Sequence, residues 1–115
     1  MVSPAVETKD EPDYSLDGVH RLAGFRQIAY AGKRVMRHVD ELGFNLDDIG
    51  DCLASLQPLD FHRSERYTAK GRWHDVYLLR YRGSSGPTHD LYIKFRLNTE
   101  CVLIDLCSFH PEGWL

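Results

Sequence analysis

The sequence predicts an α+β fold in which N-terminal helices pack on an antiparallel β-sheet. Three observations lead there. Before Pro58, apolar residues recur every three to four positions in three separate stretches, the period of helices with one buried face. After Pro58 the period shortens to two. Leu91-Tyr92-Ile93-Lys94-Phe95-Arg96-Leu97 alternates apolar with polar or amphipathic residues, as a half-buried strand does. Gly83-Ser84-Ser85-Gly86-Pro87 then supplies a turn between two strand-like runs. Helices gathered first and strands gathered after are the order of an α+β domain with helices covering one sheet face.

Residues 1–14 are acidic, contain prolines and offer little to bury, so they read as a disordered lead-in to a domain spanning 15–115. Ser15 is a candidate N-cap for a first helix carrying Leu16, Val19, Leu22, Ala23, Phe25 and Ile28, closed by Gly32. A second helix is expected from Lys33 to Leu42, with Val35, Val39 and Leu42 on one face and Gly43 as its stop. Asn45 caps a third, with Asp47 and Asp48 in its first turn, where they complement the helix dipole. Arg72 to Tyr81, Leu91 to Leu97 and Cys101 to Phe109 then read as strands of a meander, the last two joined by a turn at Asn98-Thr99-Glu100.

Composition narrows the function classes. No apolar run approaches the roughly 20 residues that span a bilayer, and the N-terminus lacks the basic and apolar regions of a secretory signal, so no membrane role and a cytoplasmic address are expected. Cys52, Cys101 and Cys107 form no CxxC pair. Cys101 and Cys107, as two positions on one strand, would stand about 20 Å apart, too far for a bridge that tolerates about 7 Å. Free, mostly buried thiols follow. His20, His38, His62 and His89 are scattered without ligand spacing, so no metal and no cofactor is expected.

The net charge of −3 hides a segregation. Residues 1–60 carry six Lys/Arg against eleven Asp/Glu, and residues 97–115 carry three acids and no Lys or Arg. Residues 61–96 hold eight basic residues (Arg63, Arg66, Lys70, Arg72, Arg80, Arg82, Lys94, Arg96) against three acids. A basic block inside an acidic chain is a local footprint for a polyanion.

Strand parity makes this footprint more specific. With Leu91, Ile93, Phe95 and Leu97 facing the core, Tyr92, Lys94 and Arg96 share the opposite face. Arg72, His74 and Val76 alternate with Trp73, Asp75 and Tyr77. Ser108 and His110 share parity with Ile104 and Leu106, so His110 is expected to emerge only at a strand end. One open face could gather Arg63, His74, Tyr92, Lys94 and His110. That set suits RNA cleavage, which needs a base for the 2′-hydroxyl proton, an acid for the leaving 5′-oxygen and fixed cations for the phosphorane. Histidine can play either proton role, Arg63 offers a bidentate fork and Lys94 a point charge. Tyr92 or Tyr77 can stack on unpaired bases, and Arg72 and Arg96 add cations. Trp73 reads as core, and Asp75 either bonds a loop or orients a histidine.

Read together, Glu41-Leu42-Gly43, Asp60-Phe61-His62-Arg63-Ser64, Trp73-His74-Asp75-Val76-Tyr77, Leu91-Tyr92-Ile93-Lys94 and Ser108-Phe109 resemble, in order and spacing, the MqsR (motility quorum-sensing regulator) family, whose members show ELG, DFYKS, WQDVY, a VYLK-like strand and SFKE. The resemblance spans roughly Val19 to His110. It implies a RelE-like sheet and a type II toxin that cleaves single-stranded mRNA selectively, with a preference for GC-containing triplets. It also implies a cognate antitoxin, commonly a zinc-containing helix-turn-helix protein. Carried over residue by residue, the family's catalytic lysine falls on Arg63, its glutamine on His74, its strand tyrosine on Tyr92 and its late lysine on His110. Arg63 keeps the charge but cannot exchange a proton near neutrality, which makes it a phosphate clamp; His74 and His110 add titratable groups. A non-catalytic RNA- or ribosome-binding regulator, or a degenerate toxin kept for antitoxin binding, are the alternative readings.

Overall fold

The computed structural model describes residues 6–83 and 86–114; residues 1–5 of the expected lead-in, Ser84 and Ser85 of the expected turn, and Leu115 lie outside the described residues. In chain order the elements are β1 (Glu7–Lys9), α1 (Leu16–Gly24), β2 (Ile28–Tyr30), α2 (Lys33–Leu42), α3 (Leu46–Ala54), a 3-10 turn (Pro58–Asp60), β3 (Phe61–Arg66), β4 (His74–Arg82), β5 (Thr88–Leu97) and β6 (Ile104–Pro111). The strands form one sheet in the order β1-β3-β4-β5-β6-β2, with every neighbouring pair antiparallel except β2 against β6.

The second and third helices follow their sequence signals. Gly43 ends α2 in the left-handed region (φ 74) that favours glycine. A reciprocal capping box between Asn45 and Asp48 opens α3. The first helix, expected to run on to Gly32, stops earlier. Ser15 caps it, but Arg26 takes a left-handed φ of 57 and turns the chain. Its guanidinium closes onto the Ala23 carbonyl and pairs with Asp47 and Asp51 of α3. A side chain at Gly50 would collide with that guanidinium. Freed from the helix, Ile28–Tyr30 pairs in parallel with Ile104–Leu106, an element whose three residues carry too little periodicity to be read.

Residues 7–14 of the lead-in are likewise more ordered than their composition suggests. Glu7–Lys9 adds an edge strand to β3, and the carboxylate of Asp75 accepts the backbone N–H groups of Asp13 and Tyr14 at 3.0 to 3.1 Å. Lys9 and Arg66 flank the Trp73 ring at 4.4 and 4.7 Å, so this half-buried tryptophan is a cation–π platform at the sheet edge. Cys101 is exposed in the turn before β6, with φ 56, rather than lying on a strand.

One sheet face is covered. Val19, Leu22 and Ala23 of α1, Val35 and Val39 of α2, and Ile49, Cys52 and Leu53 of α3 pack with Tyr77 and Leu79, with Leu91, Ile93, Phe95 and Leu97, and with Ile104, Leu106 and Phe109. The alternation of β5 is therefore met residue by residue. On β6 a β-bulge intervenes: Lys94 faces Ser108 while Phe95 faces Leu106, so Cys107 is the extra residue. The bulge flips the parity of everything after it. Phe109 turns into the core, and Ser108 and His110 turn onto the opposite face, not onto the side of Ile104 and Leu106. Among the described residues no helix is long and apolar enough to cross a membrane.

Candidate active site

Directly opposed residues on neighbouring strands point to the same side of a sheet, so the register alone assembles the uncovered face. Arg63 opposes Val76 and Glu65 opposes His74. Val76 opposes Lys94, Tyr92 opposes His110, and Lys94 opposes Ser108. Val76 is fully buried yet stands outside the helix-side core, with Arg63 and Lys94 as its neighbours across the strands. Of the sequence candidates, Arg63, His74, Tyr92, Lys94, Arg96 and His110 thus share one face.

At the β3–β4 end that face is organised by a residue the sequence reading passed over. The Glu65 side chain is 8% exposed. Its carboxylate accepts from Arg63 Nε at 2.8 Å and Tyr67 Oη at 2.7 Å, with Lys94 Nζ at 3.5 Å. Burial alone would raise the Glu65 pKa; the hydrogen bonds from Arg63 and Tyr67 and the charge of Lys94 outweigh it and hold the carboxyl below its ordinary value. Lys94 Nζ also reaches Tyr67 Oη at 2.6 Å, and Arg63 Nη1 lies 2.9 Å from His62 Nε2. Both cations are therefore held in place rather than waving in solvent. The i, i+2 run Arg63-Glu65-Tyr67 was the sequence signal available for this network.

His74 fares differently from expectation. It faces the right side, but it is 8% exposed, the Tyr67 ring lies 5.2 Å away, and its Nδ1 is buried without a partner. Burial first, then the charges of Arg96 and Lys94, lower its pKa. Unlike His110, it does not line the cleft at the other end of the face, so it is poorly placed to exchange protons with a substrate. Tyr77 is a clear correction. It is fully buried on the core face, stacked on Phe95 at 5.6 Å, and cannot meet a base. Arg72 is spent on the Leu97 carbonyl, and Arg96 pairs with Asp105 at 3.4 Å, at the end of the face away from His110.

The other end is open. His110 stacks on Tyr92 with ring centroids 5.1 Å apart and planes 11° from parallel. Its Nδ1 lies 2.8 Å from the Pro111 carbonyl oxygen. A carbonyl only accepts, so Nδ1 carries the proton, and Nε2 is the nitrogen left to exchange one. Since β2 covers only the first residues of β6, α2 packs beside the rest of that strand and brings Arg34 and His38 to the same place. Between them opens a cleft of about 530 Å³, lined by Arg34, Lys94, His38, His110, Tyr92 and Ser108, with Cys107, Val35, Gly113 and Trp114 completing it. No carboxylate lines it among the described residues, in a chain whose net charge is −3. Nor, among those residues, is any group of three or more His, Cys, Asp or Glu placed to hold a metal ion.

Fold and face together define a small α+β protein with a cationic, imidazole-bearing cleft on its open sheet face. Residues 11–111 match the family model described as motility quorum-sensing regulator, toxin of MqsA, and the chain belongs to that family. The match takes in every element from α1 to β6 and leaves out β1. Membership makes the protein a toxin of the toxin–antitoxin class. No curated protein sequence matches the chain.

Proposed function

We propose that the protein is an endoribonuclease of RelE-like architecture that cleaves single-stranded mRNA in the cytoplasm without a metal ion and is restrained by a cognate antitoxin. The observation that carries this reading is the cleft itself: two cations, two imidazoles and two hydroxyls converge with no carboxylate among the described residues, on the open face of an acidic chain. A phosphodiester is the ligand such a set favours. Family membership adds the toxin role and the antitoxin, for which a zinc-containing helix-turn-helix protein is the expected partner.

In the reaction, the 2′-oxygen attacks phosphorus and the bond to the 5′-oxygen breaks, leaving a 2′,3′-cyclic phosphate and a 5′-hydroxyl. Arg63 and Lys94, held at fixed angles by Glu65, meet the charge growing on the phosphorane. Tyr92 holds the ribose or stacks on a base, and its contact with His110 fixes that ring. His110 carries one of the two protons through Nε2. Purified protein is expected to cut a single-stranded RNA in EDTA to cyclic-phosphate ends, with Arg63→Ala slower by about 10²-fold or more. Intact RNA in the presence of the wild type, or equal cutting by Arg63→Ala, refutes the assignment.

A further inference from the structure

We propose that His38, on α2, is a further catalytic residue of this reaction, forming with His110 a pair of imidazoles that carries both proton transfers. The inference rests on the ribonuclease reading above. Its ground is geometry. His38 is 5% exposed and lines the cleft, its ring meets His110 edge-on at a centroid distance of 5.2 Å, and Trp114 backs it at 5.6 Å. Among the described residues neither ring nitrogen of His38 makes a hydrogen bond. A buried histidine ordinarily finds a partner for its N–H, and even half-buried His20 has one in the Leu56 carbonyl at 2.7 Å. His38 keeps both nitrogens uncommitted beside another histidine, in a cleft suited to phosphate.

The two rings divide the work. His110 donates from Nδ1 to the Pro111 carbonyl, and when doubly protonated it presents its second N–H at Nε2, which makes it the acid. His38 stays neutral and is the base. Burial, then the neighbouring His110, then Arg37 lower its pKa, Glu41 opposes this weakly, and Arg34 adds to it. From β5, Tyr92 and Lys94 also line the cleft beside the pair. His38 takes the 2′-hydroxyl proton as the 2′-oxygen–phosphorus bond forms. His110 gives its Nε2 proton to the 5′-oxygen as that bond to phosphorus breaks. The cycle ends with His38 protonated and His110 neutral, and passage of one proton between the rings, directly or through water in the cleft, restores the start.

The test is the pH dependence of kcat on a single-stranded RNA oligonucleotide in EDTA, for wild type and His38→Gln. The wild type should give a bell whose acidic limb belongs to His38. His38→Gln should lose that limb and fall by about 10²-fold at neutral pH. A bell with both limbs intact in His38→Gln, whatever the drop in rate, marks a merely structural role and overturns the proposal. If the variant folds poorly or is too slow to profile, the ring-proton NMR titrations of the wild type decide instead. Coupled titration of His38 and His110 supports the pair; a His38 that does not titrate while His110 moves alone overturns it. Failure of the wild type to cut RNA at all would instead remove the ribonuclease reading, so the two failures are told apart.

Discussion

The uncovered sheet face has two ends, and each holds a histidine with a different fate. At the β3–β4 end, His74 lies under Tyr67, with its charge disfavoured by burial and by nearby cations, beside a carboxylate that already engages Arg63, Tyr67 and Lys94. At the β5–β6 end, His110 is anchored through one nitrogen and open through the other, with Tyr92 behind it and His38 at its edge. The same residue type is packed under a tyrosine ring in one place and opens onto a cleft in the other. The difference comes from what covers the ring, which strand parity alone does not report.

If the first end holds its cations in place and exchanges no proton, its largest vulnerability is Glu65. Glu65→Gln leaves Arg63 and Lys94 facing one another without their shared carboxylate, and it should lower stability by about 1–3 kcal/mol in urea unfolding, discounted for the exposure of Arg63. The pH dependence carries a sign. The Glu65 carboxyl is held below its ordinary value, so its contribution is present above the unfolded pKa and is lost as pH falls through the folded one. Wild type should therefore lose stability on acidification below roughly pH 4.5 more steeply than Glu65→Gln. Parallel curves would mean that the network is incidental.

A smaller effect is expected at His74. Its lowered pKa means that the unfolded chain takes up a proton before the folded protein does. Stability is then lost as pH falls through the unfolded value near 6.5 toward the folded one. Melting curves of His74→Gln should flatten relative to wild type across that interval, by less than about 1 kcal/mol. A variant as steep as the wild type would show that the ring is not shielded from protonation and would blur the contrast between the two ends.

Much of this architecture is written locally in the chain. The alternation from Leu91 to Leu97 placed β5 and its outward Tyr92, Lys94 and Arg96, and the Gly43 and Asn45 signals bounded α2 and α3. What escaped reading depends on distant partners. Glu7–Lys9 and Ile28–Tyr30 are strands because a sheet edge is there to receive them. The extra residue at Cys107 reverses the parity that had tied Ser108 and His110 to Ile104 and Leu106, and no feature of that stretch announces a bulge. The parity that Tyr77 shares with Asp75 does not say which face it takes; the register with Ile93 puts it in the core. His38 and His110 are distant in sequence and meet only because α2 takes up the edge of β6 that β2 leaves bare.

The central claim is that proton transfer belongs to the His110 end of the face. It is tested most directly by comparing single-turnover RNA cleavage by His110→Gln and His74→Gln at neutral pH under one set of conditions. The account predicts a fall of about 10²-fold or more for His110→Gln and a change within about threefold for His74→Gln. The reverse order, with His74→Gln crippled and His110→Gln near wild type, would contradict it.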